Sequence, residues 1–402
     1  MSHREGIVRE SNYLVVGGGM TADAAVRGIR ELDRTGAIAV VGAEPDAPYS
    51  RPPLTKGLWK GDAPDSIWRK TGEVEGVTLH LGERITALNM ARHRATSDRG
   101  NEFTFDKVLL ATGCVPRRLP SGGDGVNYFR TLADYHTLRR VSDAGGTVAV
   151  VGGGFIGSEA AAALALQGRK VTLLFPEAGI GARIFPADLA TFLVDFYRGK
   201  GVDVRAGEQV ASIMTVAGRY TVTTKSGFSV IADAVVAGIG VVPDVSLAEA
   251  AGCAVDDGIV VDEHLRTSQR DIYAAGDVAR FHSPQLGRLM RVEHEDNALT
   301  MGKAAGRSMA GDITPYHHLP FFYSDLFELG YEAVGDTDPR HEVFADWKTP
   351  FREGVVYYLA DGRVRGVLLW NTWGQVDAAR GLIAEPGPFT AADLKGRLPA
   401  AA

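Results

Sequence analysis

A chain of 402 residues is long enough for two or three domains at about 150 residues each, every one able to bury its own core. With 45% apolar and 23% charged residues it is a globular chain and not a disordered one, and its net charge of −6 argues against a dedicated binder of nucleic acid or anionic lipid. The 49 glycines exceed the usual share of about 7% and require a use.

The first residues, Met1 to Ser11, are polar and lack an apolar signal core, and no Arg-rich transit stretch follows. The longest uncharged run, Ala144 to Ser158, falls short of the ~18 residues a membrane span needs, so a cytoplasmic protein with no membrane contact is expected. A strand is predicted to end in Val15-Val-Gly-Gly-Gly19 and to lead into an Ala-rich helix, with Gly17, Gly19 and Ala22 fitting G-x-G-x-x-A. That spacing serves a tight turn, close approach of backbone to a pyrophosphate, and close packing of helix on strand. The next strand, Ile38 to Ala43, ends at Glu44, about 20 residues on, where a carboxylate meets the ribose of a bound dinucleotide. Further along, Lys107 to Leu110 reads as a strand closed by the small residues Ala111-Thr112-Gly113, as a backbone passing close to a cofactor requires.

The pentapeptide returns at Val150 to Gly154, where Gly152, Gly154 and Gly157 fit G-x-G-x-x-G and the strand Val171 to Phe175 is followed by Glu177. Two such openings imply one bound redox dinucleotide and one exchangeable nicotinamide, hence a flavoenzyme. Glu177 would repel a 2′-phosphate and favours NADH, while Arg183 leaves NADPH open. Cys114 and Cys253 have no CxxC spacing and read as small buried residues. The helical period of Ala298, Met301, Ala305 and Met309 places a helix after Glu293-His-Glu-Asp-Asn297, with Asp296 as a candidate cap. From Leu319 onward the pattern is α+β. Strands are predicted at Tyr331–Val334, Val355–Ala360 and Val364–Trp370, with an Asp361-Gly362 hairpin turn. A helix at Asp377–Ala384 and a last short one capped by Thr390 follow. His317 and His318 show no ligand spacing, read as surface or packing residues, and no metal is expected.

Together Tyr49-Ser-Arg-Pro-Pro-Leu-Thr-Lys56, Ala111-Thr-Gly113, Gly152 to Glu159, Phe175-Pro-Glu177, Tyr273-Ala-Ala-Gly-Asp277, Val292-Glu-His294 and Phe322-Tyr-Ser-Asp325 carry a resemblance over nearly the whole chain. It resembles the flavoprotein reductases with two dinucleotide-binding domains, nearest to the ferredoxin and rubredoxin reductases and to apoptosis-inducing factor. The resemblance implies an α/β architecture. Residues 1–140 and 257–318 would bind FAD in a Rossmann-like domain, 141–256 would be a second, NAD(H)-binding one inserted in it, and 319–402 a C-terminal α+β domain. Arg51 offers a guanidinium suited to the FAD phosphates, and Asp277 is either the residue that bonds the ribitol chain or a turn aspartate. Glu293 and His294 lead into a helix whose positive end would face the flavin.

By the same resemblance Lys56 and Glu159 are the catalytic pair beside the flavin, where the nicotinamide enters. Tyr323, and with it Phe322, match aromatics near the flavin ring or are core packing; Phe155 covers the nicotinamide site or is core. No cysteine lies in Tyr49 to Lys56, so no thiol relay is expected. Electrons would leave the reduced flavin for a small iron–sulfur protein, the enzyme being a monomer or homodimer. The alternatives are an NADH sensor that holds a stable complex of reduced flavin with NAD, or a reductase of a quinone or monodehydroascorbate.

Overall fold

A computed structural model describes residues 8–120 and 123–398 and divides the chain into two compact units. The first runs to Arg51 and resumes over Asp65–Val115 and Val242–Pro320; the second takes in Pro52–Pro64, Pro116–Val241 and the chain from Phe321 onward. Set beside the expected borders at 140/141 and 256/257, the chain changes unit earlier, at 115/116 and 241/242. The helix Leu132–Asp143 sits in the second unit because its Tyr135 packs edge-on against Trp59, with ring centroids 5.6 Å apart, and Arg139 lies over the same indole.

In the first unit a five-stranded parallel sheet has the order Ile272–Ala274, Lys107–Leu110, Tyr13–Val16, Ile38–Gly42, Val77–Leu81. Its central strands are continuous apolar runs, as a parallel sheet covered on both faces demands, and Leu14, Val15, Val40 and Leu109 are fully buried. The helix Met20–Leu32 packs on the helix Glu295–Met309 at backbone distance. A side chain at Gly28 would strike the carbonyl of Lys303, and one at Gly306 the carbonyl of Ala25, so part of the glycine surplus serves this crossing. Gly306→Ala is expected to cost about 1–3 kcal/mol as an overpacking change, read as a lowered thermal midpoint. The expected core positions Ala298, Met301, Ala305 and Met309 are all buried in this interface or below it.

The second unit holds a four-stranded parallel sheet, in the order Asp203–Ala206, Val171–Phe175, Val148–Val151, Ala234–Ala237. It also holds a five-stranded antiparallel sheet built from the C-terminal segment. The three C-terminal strands expected from the sequence are present as Leu329–Gly335, Glu353–Ala360 and Arg363–Trp370, joined by two more at Phe321–Leu326 and Glu342–Thr349. Asp361 and Gly362 have φ of 51° and 70°, the double left-handed pair that a tight hairpin turn needs. The helices follow at Val376–Ala384 and Ala391–Leu394, the latter opened by a capping box of Thr390 and Asp393. Cys114 and Cys253 are buried in the first unit. Among the described residues no helix is long and apolar enough to cross a membrane.

Candidate functional site

In the first unit the glycines at the strand-to-helix turn divide their work. Gly17 has φ of 123°, and a side chain there would run into the carbonyl of Ala111, so the turn itself requires glycine. Gly19 differs: it caps the helix with ordinary extended backbone (φ −97°, ψ −166°), without a side-chain cap, and an added Cβ would meet nothing within 4 Å. Among the described residues nothing packs here that would demand glycine at this helix entrance. The open space over helical N–H groups suits a pyrophosphate, which needs both the donors and the room. Ala22 is fully buried against the sheet.

The residues expected around that entrance gather in part. Glu44 accepts a 2.6 Å bond from the Tyr49 hydroxyl and is paired with Arg51, whose Nη1 also donates to the Tyr49 oxygen at 3.0 Å. Thus Arg51, expected on the phosphates, stands beside Glu44, the acid expected on the ribose. The Thr112 hydroxyl donates to the carbonyl of Asp244 at 2.7 Å, and Gly113, with φ of 67°, turns the chain away. Asp277 lies in the single turn Gly276–Val278, and its carbonyl accepts from Arg291 at 3.1 Å. Glu293 is paired with the same arginine at 2.6 Å.

His294, not Asp296, is the N-cap residue of the helix Glu295–Met309. Asp296 falls inside the first turn, and its carboxylate meets His318 Nε2 at 2.6 Å. The expectation of a capping Asp296 is thereby corrected, while His318, 26% exposed, is a partly exposed residue that pairs with it. No spacing in the sequence marks this pair, because the partners lie 22 residues apart on different elements.

The second unit repeats the device. Gly152 has φ of 114° and faces the carbonyl of Gly238, and a side chain at Gly157 would strike the carbonyl of Gly152. Gly154, the helix cap at φ −85° and ψ −164°, again has nothing within 4 Å of an added Cβ. Gly19→Ala and Gly154→Ala are therefore expected to leave the apoprotein within about 1 kcal/mol of the parent, the usual cost of alanine at a cap. The first should lower retention of FAD through purification and the second should raise KM for NADH. Gly17→Ala, in contrast, should unfold the apoprotein at lower temperature. Glu177 accepts from Arg183 Nη2 at 2.9 Å, but Arg183 is 84% exposed, so this contact is worth at most about 1 kcal/mol.

Lys56 and Glu159 meet in this second unit. Glu159 stands early in the helix Phe155–Leu166, within the stretch Gly157–Leu164 that is buried throughout. Lys56 Nζ is 2.6 Å from Glu159 Oε1, with the lysine side chain 12% exposed and the glutamate 4%. The Ser324 hydroxyl donates to Oε1 at 2.5 Å, and the Thr55 hydroxyl to Oε2 at 2.5 Å. Neither hydroxyl was anticipated from the sequence. Tyr323 presents its ring 5.2 Å from the Lys56 ammonium, a cation–π contact. Two neighbouring phenols register the buried charge: burial first, and then the Glu159 carboxylate, hold Tyr197 and Tyr331 well above the usual tyrosine range. Phe155 is 36% exposed and sets its ring edge-on to Phe322 at 5.3 Å, so it is not a core residue.

The chain matches the family described as pyridine nucleotide-disulphide oxidoreductase over residues 11–302. It is 32% identical to putidaredoxin reductase of Pseudomonas putida, across 94% of this chain and 92% of that protein. It is 31% identical to mitochondrial apoptosis-inducing factor 1 of Dictyostelium discoideum, across 94% of this chain and 79% of that one. Among solved structures it resembles the covalent complex of putidaredoxin reductase with putidaredoxin, with a TM-score of 0.87 at 32% identity and 94% of each chain covered. Both dinucleotide openings lie inside the matched residues, and the chain belongs to the pyridine nucleotide-disulphide oxidoreductase family, as a flavoprotein reductase that uses FAD and NAD(H).

Proposed function

We propose that this enzyme takes hydride from NADH onto FAD and delivers the electrons singly to a small iron–sulfur protein of the ferredoxin or rubredoxin type. The observation that carries this reading is the Lys56–Glu159 pair, an ammonium and a carboxylate kept out of water with three donors on one carboxylate. An ion pair in that setting is costly unless it is used or fully satisfied. Bound FAD supplies the conversion of a two-electron donor into one-electron steps. In this reading Gly17, Gly19, Ala22, Glu44, Arg51, Ala111, Thr112, Gly113, Asp277, Glu293 and His294 hold the flavin dinucleotide. Gly152, Gly154, Gly157 and Glu177 hold the nicotinamide dinucleotide, and Phe155 and Tyr323 border the reacting rings. Lys56 favours extra electron density on the flavin by its charge, and Glu159 holds the ammonium in place and accepts a bond from the nicotinamide amide.

Two supports come from outside the pair. The similarity to putidaredoxin reductase covers 94% of the chain, and the solved relative is a covalent complex of that reductase with putidaredoxin. Electron choice at the other end follows from Glu177: NADH is expected to exceed NADPH in kcat/KM by about tenfold or more, and Glu177→Ala to narrow that ratio. The deciding experiment is anaerobic stopped-flow reduction of the bound flavin with NADH, followed by mixing with a small [2Fe–2S] ferredoxin. Fast reduction with prompt reoxidation supports the reductase. A long-wavelength absorbance band that persists and resists reoxidation would replace this reading with that of an NADH sensor.

A further inference from the structure

A lysine on one oxygen does not by itself fix a carboxylate. The last torsion of a glutamate is broad and roughly two-fold, so with Lys56 alone on Oε1 the plane of Glu159 could turn about that contact. The Thr55 hydroxyl on Oε2 and the Ser324 hydroxyl on Oε1 remove this freedom, at 2.5 Å each. Both are shielded from water, Thr55 being 6% exposed and Ser324 fully buried. Thr55 and Lys56 are consecutive, so one turn of chain reaches both oxygens. Ser324 comes from the strand Phe321–Leu326, which also sets Tyr323 against Lys56 and pairs Asp325 with Lys60 at 2.7 Å. A carboxylate offers about four acceptor positions. Among the described residues three are taken, and the one left is on Oε2.

We infer that Thr55 and Ser324 are positioning residues for hydride transfer: they lock the plane of Glu159 so that its remaining acceptor position has a single direction, in which it takes the N–H of the nicotinamide carboxamide. The inference rests on the proposed role of the Lys56–Glu159 pair and adds the residues through which that role is enforced. It requires that the two hydroxyls act only by way of Glu159, and a merely structural role would not show that dependence.

The test uses the purified holoenzyme and stopped-flow reduction of the flavin over a range of NADH concentrations. Thr55→Val and Ser324→Ala are each expected to lower the limiting rate about tenfold, with flavin content and the rate of reduction by dithionite unchanged. Thr55→Ser, which keeps the hydroxyl, should recover most of the loss. In a Glu159→Ala background, adding Thr55→Val should change the rate by less than about twofold, since the group being positioned is gone. The inference is overturned if Thr55→Val and Ser324→Ala reduce at the parental rate, or if Thr55→Val costs as much with Glu159 absent as with it present. Should Glu159→Ala alone reduce at the parental rate, the role of the pair itself falls, and this inference with it. If Glu159→Ala does not retain flavin, equal rates for Thr55→Ser and Thr55→Val would overturn the inference on their own.

Discussion

Lys56→Met is expected to slow reduction of the bound flavin by NADH about a hundredfold or more while FAD stays bound. The lysine contributes one fixed positive charge in a setting where water does not compete, and removing a single preorganised electrostatic contact of this kind costs about 10²–10³ in rate. A second loss accompanies the first. Among the described residues Glu159 would keep two neutral hydroxyl donors, and its charge would lie uncompensated near the buried Tyr197 and Tyr331. Breaking a buried pair in this way typically costs about 3–5 kcal/mol of stability. The rate should therefore be measured well below the thermal midpoint of the variant, at saturating NADH, with flavin content determined in the same sample. A parental rate in a flavin-replete Lys56→Met enzyme would remove the lysine from the reaction.

The second large effect is expected at Asp23, in the first turn of the helix Met20–Leu32 and fully buried. Its carboxylate accepts from Arg27 at 3.0 and 3.1 Å, from Arg69 Nε at 2.8 Å and from the Thr71 hydroxyl at 2.8 Å. Burial alone would push this carboxyl up, but the bonds from Arg27, Arg69 and Thr71 together outweigh it and hold Asp23 below the usual aspartate value. A group depressed on folding adds stability above its unfolded value of about 3.9, and that stability is lost as pH falls through the folded value. Asp23→Ala should thus cost about 3–5 kcal/mol at pH 7, chiefly by leaving Arg69 unpaired. The difference from the parent should shrink in the acid range. Arg69 also donates to the Ser50 hydroxyl at 3.2 Å, next to Arg51, so FAD should be released more readily as well. Denaturant titrations of both proteins at pH 7 and again at about pH 2.5, below the unfolded aspartate value, check the sign; a difference that grows toward acid would refute it.

What the sequence showed and what it hid follow from the range of the interactions involved. The two turns were legible because their demands are local: Gly17 and Gly152 need positive φ, and the apolar runs before and after them are continuous. The helix Glu295–Met309 was legible from its period. By contrast, Thr55 and Ser324 lie 104 and 165 residues from Glu159, and no spacing rule connects groups brought together only by packing. The strand Glu342–Thr349 was hidden for another reason: its middle residues are half-buried on both faces, so the alternation that marks a strand is weak. The pairing of Asp296 with His318 and the clasp of Arg51 on Glu44 were hidden in the same manner, since each side chain also had a reasonable role alone.

The route of the chain through its units also sets an order of assembly during synthesis. The first unit depends on Ile272–Ala274 for the edge of its five-stranded sheet and on Glu295–Met309 to cover the helix Met20–Leu32, so it cannot close until well over half the chain has left the ribosome. The four-stranded parallel sheet of the second unit, from Val148 to Ala237, is drawn from one continuous stretch. Nascent chains ordinarily fold from the N-terminus onward. Here the glycine turn that is translated second has its sheet complete first, and the unit that carries the first turn waits for its last strand and helix.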